Sequence, residues 1–176
     1  KDIEKQAFAD CVSLKEVAIP DSIYLIGEGV FSNCTNLTSV TIPGTIRLIG
    51  ENAFSGCMGL TSVSIGNGVV LVGKNAFENC CRLTSITIPN SVTKIDFEAF
   101  KNCNGLTSVT VGNGVKEIDE SAFVQCERLT EVDIPDNLKI TDNTFNKKVH
   151  IKKYSIHINS YIQPVNKPNN AFDGCK

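Results

Sequence analysis

The chain has 176 residues, and its 17 Lys and Arg nearly balance its 19 Asp and Glu, for a formal net charge of −2 at pH 7. This balance argues against nucleic acid as a partner, because a surface that binds phosphates needs an excess of Lys and Arg. Hydrophobic residues make up 41% of the chain, as in ordinary folded proteins. No apolar run is long enough to insert into a membrane.

A repeat of 23 residues runs through most of the sequence. Phenylalanine recurs at this interval, cysteine follows each phenylalanine by three residues, and leucine follows each cysteine by three. The three columns are Phe8, Phe31, Phe54, Phe77, Phe100 and Phe123; Cys11, Cys34, Cys57, Cys80, Cys103 and Cys126; and Leu14, Leu37, Leu60, Leu83, Leu106 and Leu129. One unit of this size cannot bury its apolar residues alone. The units are therefore predicted to stack and to share one elongated core.

Each unit is predicted to contain two short strands and one or two helical turns. Residues 37–42 are rich in β-branched side chains and end at Pro43, which favours a strand. Residues 46–49 form a second extended piece. Residues 51–57 are predicted to form the helical turns, which end at Gly56 in a positive-φ conformation. The equivalents of Gly56 are Asn33, Asn79 and Asn102.

Two regions follow from the repeat. Residues 1–140 hold about six regular units, and residues 141–176 are predicted to be an irregular, extended repeat of the same solenoid. In the second region, residues 147–162 alternate apolar and polar and favour a longer strand or a hairpin, and residues 163–170 form a loop. Neither end resembles the polar cap that a solenoid needs, so the chain is expected to be a fragment of a longer array.

The second region is also basic, and its cluster consists of Lys147, Lys148, Lys152 and Lys153. The cluster is either a solvated strand face or a contact site for an acidic partner or glycan.

Two units carry a family resemblance: residues 53–73, AFSGCMGLTSVSIGNGVVLVG, and residues 76–96, AFENCCRLTSITIPNSVTKID. In length, column order and the Pro or Gly stop, they resemble the BspA-like (Treponema-type) leucine-rich repeats. The resemblance covers residues 1 to about 136 and returns in residues 171–175. It implies a right-handed, β-rich α/β solenoid with a parallel sheet on its inner face and short helical turns. It also implies a secreted or cell-surface protein of anaerobic commensal bacteria or some protozoa, where several relatives are adhesins, and it transfers no catalytic residues.

The cysteine column is predicted to be a ladder of buried, reduced thiols. Neighbours one repeat apart should lie about 4.8 Å apart, whereas a disulfide needs Cβ atoms about 3.5–4.5 Å apart. A metal site is disfavoured, because no paired cysteine motif occurs and His150 and His157 lie outside the column. Cys81 stands beside the column and is either an incidental surface thiol or a reactive one.

Eight Ser and Thr residues form the main candidate surface, which we call the hydroxyl face. They alternate with buried positions of the strands, so they should point outward in two ladders. They are Ser39, Thr41, Ser62, Ser64, Ser85, Thr87, Ser108 and Thr110. Either they simply suit an exposed sheet, or they form a broad surface that binds a protein or a glycan.

A second candidate surface, the leucine patch, consists of Tyr24, Leu25, Leu48, Val70 and Leu71. The leucine column continues as Lys94 and Glu117, which favours solvent exposure. An exposed apolar patch often marks a protein contact or weak self-association; the alternative is partial burial under neighbouring loops.

No phosphate-binding loop, nucleophile elbow or metalloprotease motif occurs, so no enzyme activity and no cofactor are predicted. The main hypothesis is a non-catalytic, adhesin-like binding module, extracellular or at the cell surface. Its partner would be a surface protein or glycan of a host or a neighbouring cell. The alternatives are a structural spacer that carries another domain and an accessory repeat segment of a larger secreted enzyme.

Overall fold

The computed structural model describes residues 1–136, 138, 140, 143–146 and 148–154. In these residues the chain winds into a parallel β-solenoid of about six turns, and each turn contributes one longer and one shorter strand. The predicted repeat fold is thus confirmed as a stacked solenoid. Residues 155–176, with part of the predicted hairpin, the 163–170 loop, His157 and the returning motif at 171–175, lie outside the described residues, as does Lys147.

The longer strands form one face of the solenoid. They are β2 (Glu16–Ala18), β4 (Ser39–Ile42), β6 (Ser62–Ile65), β8 (Ser85–Ile88), β10 (Ser108–Val111), β12 (Glu131–Pro135) and β13 (His150–Tyr154). In β4, β8 and β10 exposed and buried residues alternate, because successive side chains of a strand point to opposite faces. Hydroxyl residues point outward, and valine and isoleucine enter the core.

The shorter strands form a second, continuous sheet. They are β1 (Asp2–Ile3), β3 (Leu25–Ile26), β5 (Leu48–Ile49), β7 (Leu71–Val72), β9 (Lys94–Ile95) and β11 (Glu117–Ile118). All of its pairings are parallel, with partners 23 residues apart, as in Leu48↔Leu71. The 23-residue period of the sequence is therefore the register of the sheets.

The third side consists of turns, and the prediction of short helical turns is wrong: no helix occurs in the part of the chain that the structure describes. The reason lies in the backbone. Asn52 has φ 56° and Gly56 has φ 74°, and their equivalents in the other turns are also left-handed. Two left-handed residues four positions apart prevent a helical run. Alternate N–H groups bond to the neighbouring turn, as from the Phe54 N–H to the Ala76 carbonyl at 2.8 Å, and the N–H groups between them bond to carbonyls three residues back.

A stack of phenylalanine rings lies inside these turns. Ring centroids of successive turns are 5.0–5.4 Å apart, from Phe8 through Phe123, and Phe145 adds a seventh ring at 5.1 Å. From Phe31 to Phe123 the rings are completely buried. The stack runs along the solenoid, so every turn contributes to one core.

The last described turn is shorter than the others. β13 pairs in parallel with β12, and its His150 lies opposite Glu131, an offset of 19 residues instead of 23. The alternating segment from residue 147 thus provides one further parallel strand, and its described part continues the sheet of β12. The assignment of residues 141–176 to one irregular repeat stays a prediction.

Candidate functional site

The structure brings the eight residues of the hydroxyl face together in two ladders, and all eight are exposed. Ser39 lies opposite Ser62, and Ser85 lies opposite Ser108. The second ladder places Thr41 beside Ser64 and Thr87 beside Thr110. The strands position the hydroxyl side chains outward because the Val and Ile side chains that alternate with them are held in the core.

The sheet that carries the hydroxyl face is divided between β6 and β8. The longer strands form one sheet of β2, β4 and β6 and another of β8, β10, β12 and β13. The backbone N–H and the side-chain hydroxyl of Thr61 both donate hydrogen bonds to the Thr38 carbonyl. The same two groups of Thr107 donate to the Thr84 carbonyl. Within residues 1–136 no equivalent bond joins Thr84 to Thr61. The face is therefore locally open between these two turns.

The other two sides of the solenoid stay closed at this level. β7 and β9 pair in the usual register, and the rings of Phe77 and Phe100 stack at 5.2 Å. Val63, which faces the opening, is half-buried, although its equivalents Val40 and Ile86 are 3% exposed. The opening is consequently a cleft in one face and not a break in the solenoid.

The cleft has a volume of about 540 Å³, and residues of β6 and β8 form much of its lining. Five residues of the hydroxyl face line it, namely Ser62, Ser64, Ser85, Thr87 and Thr110. Asn67 and Asn90 add carboxamides, and none of the lining residues carries a charge. Ser39, Thr41 and Ser108 lie outside the cleft, so the structure divides the predicted site into two parts.

Tyr154 lines the same cleft from β13. Its hydroxyl donates a hydrogen bond to the Val111 carbonyl and lies 3.0 Å from Oδ1 of Asn113. Burial, with a further contribution from Asp133, raises the pKa of the Tyr154 phenol. Sequence reasoning missed Tyr154, Asn67 and Asn90 as site residues. The 23-residue pattern gives no sign of the opening between β6 and β8, and Tyr154 lies outside the regular repeats.

Charged side chains form networks away from the cleft. Lys94 on the shorter-strand sheet lies 3.0 Å from Glu117, 3.7 Å from Asp96 and 3.9 Å from Asp119. The hydrogen bond with Glu117, together with the nearby Asp96 and Asp119, raises the pKa of Lys94. In the predicted basic cluster, Lys152 lies 3.0 Å from Glu131. None of these ion-paired residues lines the cleft.

The leucine patch is only partly accessible. Tyr24 is 57% exposed, whereas Leu25, Leu48, Leu71 and Val70 are half-buried. The three leucines pair with one another in register across β3, β5 and β7. Its role as a protein contact stays a prediction.

The cysteine column is a ladder of thiols, and none of the described cysteines forms a disulfide. From Cys34 to Cys126, each thiol of the column donates to the phenylalanine carbonyl 26 residues earlier, at 3.1–3.4 Å. Cysteine fits this position because it is small, apolar and a weak donor. Burial raises the pKa of Cys57 to about 12. Cys81 is half-buried, with its Sγ 3.3 Å from the Asn79 carbonyl.

The burial of these thiols predicts a specific alkylation pattern. With iodoacetamide at pH 8, the half-buried Cys11 and Cys81 should react in the folded protein. The five buried thiols from Cys34 to Cys126 should stay unmodified until guanidinium unfolds the chain. Peptide mass spectrometry without reductant measures both states. Buried cysteines that stay unmodified after denaturation would indicate disulfides and contradict the thiol ladder.

The described residues contain no group of three or more His, Cys, Asp or Glu that could hold a metal ion. In the same part of the chain there is no helix that is long and apolar enough to cross a membrane. The candidate site consists of the hydroxyl face and its cleft, which is lined by uncharged side chains.

The stacked parallel strands, the 23-residue register and the shared Phe, Cys and Leu columns define the class of leucine-rich-repeat solenoids. Residues 1–80 and 70–176 match the BspA type leucine rich repeat region in six copies. The chain belongs to this family, which confirms the resemblance noted in the sequence. None of the curated proteins matches the chain significantly.

Solved structures of bacterial leucine-rich-repeat proteins resemble the chain. The leucine-rich repeat protein of T. pallidum is 30% identical over 69% of this chain and 56% of its own, with a TM-score of 0.63. A leucine-rich repeat protein from Bacteroides ovatus is 25% identical over 88% of this chain and 51% of its own, with a TM-score of 0.66. A leucine-rich cell surface protein from Faecalibacterium prausnitzii is 28% identical over 74% of this chain and 34% of its own, with a TM-score of 0.63. The chain thus spans between a third and just over half of their lengths.

Proposed function

We propose that the chain is a non-catalytic, adhesin-like binding module that contacts a surface protein or glycan of a host or neighbouring cell through its hydroxyl face. The observation that carries this proposal is the exposure of all eight hydroxyl residues on one side of the solenoid, in register within each of the two sheets of longer strands. Leucine-rich-repeat proteins generally mediate protein–protein interactions, and an extended, repeated surface suits that role.

The proposed location is outside the cell or at its surface. The support comes from family membership and from the similarity to the cell surface protein of Faecalibacterium prausnitzii. Cysteine usage is compatible with this location, because the buried thiols resist oxidation when they are shielded from solvent.

The proposal is tested by replacing Ser62, Ser85 and Thr87 together with lysine. The wild-type chain is expected to bind saturably to at least one member of a panel of immobilised matrix proteins and surface glycans. The triple variant should lose at least about 90% of this binding at the same concentration, since three long charged side chains would cover the face. Surface plasmon resonance measures the binding.

The matched control is Ser13→Lys, which changes an exposed hydroxyl in a turn outside the three sheets. It should bind like the wild type, and all variants should have the same circular dichroism spectrum. Equal binding by the triple variant would remove the hydroxyl face as the site. An absence of any saturable binding would favour the structural spacer instead.

A further inference from the structure

We propose that the cleft between β6 and β8 is a binding site for a neutral saccharide. This inference rests on the proposed function, which it deepens by naming one site and one ligand class. The cleft is a local feature of the face, since the longer strands pair on both sides of it but not across it. A ligand there can reach Val63, which is half-buried at the opening, whereas its equivalents Val40 and Ile86 are buried where the strands pair.

The dimensions of the cleft favour a small ligand over an added peptide strand. Parallel strands lie about 4.8 Å apart, so insertion of a third strand would need about 9.6 Å between β6 and β8. Their Cα atoms still come within 8 Å of each other. The volume of about 540 Å³ lies inside the range of about 300–1,000 Å³ that is usual for small-molecule sites.

The chemistry of the cleft favours a neutral, hydroxyl-rich molecule. Ser85 and Thr87 offer hydroxyls that both donate and accept, and Asn67 and Asn90 offer carboxamides. The Oδ1 of Asn90 already accepts a hydrogen bond from the Asn113 N–H at 3.0 Å, so Asn90 offers chiefly its NH₂ group as a donor. Sugar hydroxyls also donate and accept, so they complement these groups. An anionic ligand would find no Lys, Arg or His in the lining, and a cationic ligand no Asp or Glu.

Tyr154 supplies the apolar surface that such a site needs. Its hydroxyl is held by the Val111 carbonyl, so the ring is fixed at the edge of the cleft before a ligand arrives. A fixed aromatic ring buries a large apolar area at low entropic cost. The C–H faces of a sugar ring can pack on it while the hydroxyls of the sugar bond to the side chains of β6 and β8.

The test uses the full chain, labelled with ¹⁵N, and titrations with maltose, cellobiose and lactose. Glucuronic acid and an extended tetrapeptide serve as charged and peptide probes. We expect saturable chemical-shift changes with at least one disaccharide, centred on residues 62–65, 85–90 and Tyr154. Tyr154→Ala should weaken that binding by about tenfold or more. Ser85→Lys, which removes no core contact, should abolish it.

The matched control is Tyr24→Ala, because Tyr24 is an exposed tyrosine outside the cleft. It should bind the disaccharide like the wild type. Preference for the tetrapeptide or for glucuronic acid would overturn the inference, as would shifts elsewhere or an absence of saturation with every disaccharide. If no disaccharide binds in the cleft while the wild-type chain still binds a member of the panel of matrix proteins and surface glycans, only the saccharide site is excluded. The proposed function then stands.

Discussion

Replacing Phe77 with alanine is expected to lower the free energy of unfolding by about 3–5 kcal/mol. The ring of Phe77 is completely buried, and it stacks against Phe54 and Phe100 with centroids 5.2 Å away on each side. Its removal deletes buried apolar area and two ring contacts at once. The turns on either side cannot close the gap, because their backbones are bonded to each other in register.

Denaturation by guanidinium, followed by circular dichroism, measures the loss. The control is Phe8→Ala, because Phe8 is 43% exposed and, among the described residues, its ring stacks on that of Phe31 only. We expect its effect to be less than half that of Phe77→Ala, because less apolar area is lost and no closed cavity forms. Equal losses for both variants, or a loss near zero for Phe77→Ala, would contradict a continuous buried stack.

The repeat made the core predictable from the sequence. A strict 23-residue period places like residues in one column, and stacking then requires those columns to share one interior. The exposure of Ser62 and Thr87 followed from the alternation of side chains along a strand. For both the buried columns and the exposed hydroxyls, the local side-chain pattern and the 23-residue repeat predict the same structure. Contacts between distant parts of the chain are therefore not needed to predict which residues are buried.

The turns were not predictable in the same way. Residues 51–57 contain good helix formers, yet Asn52 is left-handed and its equivalents include Glu98 and Ser121. Asparagine favours a positive φ, but glutamate and serine do not signal one by their type. Bonds to the neighbouring turn, such as the one from the Asn52 N–H to the Lys74 carbonyl, decide the conformation. Stacking therefore overrides local propensity.

The cleft could not be predicted from the sequence either. Pro89 has no N–H to donate to the preceding turn, but Pro43 occupies the same column and β2 still pairs with β4. Proline alone thus does not account for the opening. β13 pairs with β12 at an offset of 19 residues, so the 23-residue repeat does not predict that Tyr154 lines the cleft.

Replacing Gly68 with alanine is expected to destabilise the protein by about 1–3 kcal/mol through overpacking. A Cβ atom at this position would lie 1.6 Å from the carbonyl oxygen of Gly44 in the preceding turn. The clash is with backbone, so it can be relieved only by shifting one turn against the other. That movement would strain the bonds that hold neighbouring turns in register.

The control is Gly44→Ala, in the adjacent column of the same loops. A Cβ atom on Gly44 would meet its nearest neighbour, the backbone nitrogen of Asn67, at 3.7 Å, which is ordinary contact. Neither glycine has a positive φ, so the comparison isolates the steric clash from backbone strain. Gly44→Ala should leave the midpoint of guanidinium denaturation unchanged or slightly higher, because alanine restricts the unfolded chain. A midpoint for Gly68→Ala as high as that of Gly44→Ala would show that the turns are not packed backbone to backbone at this column.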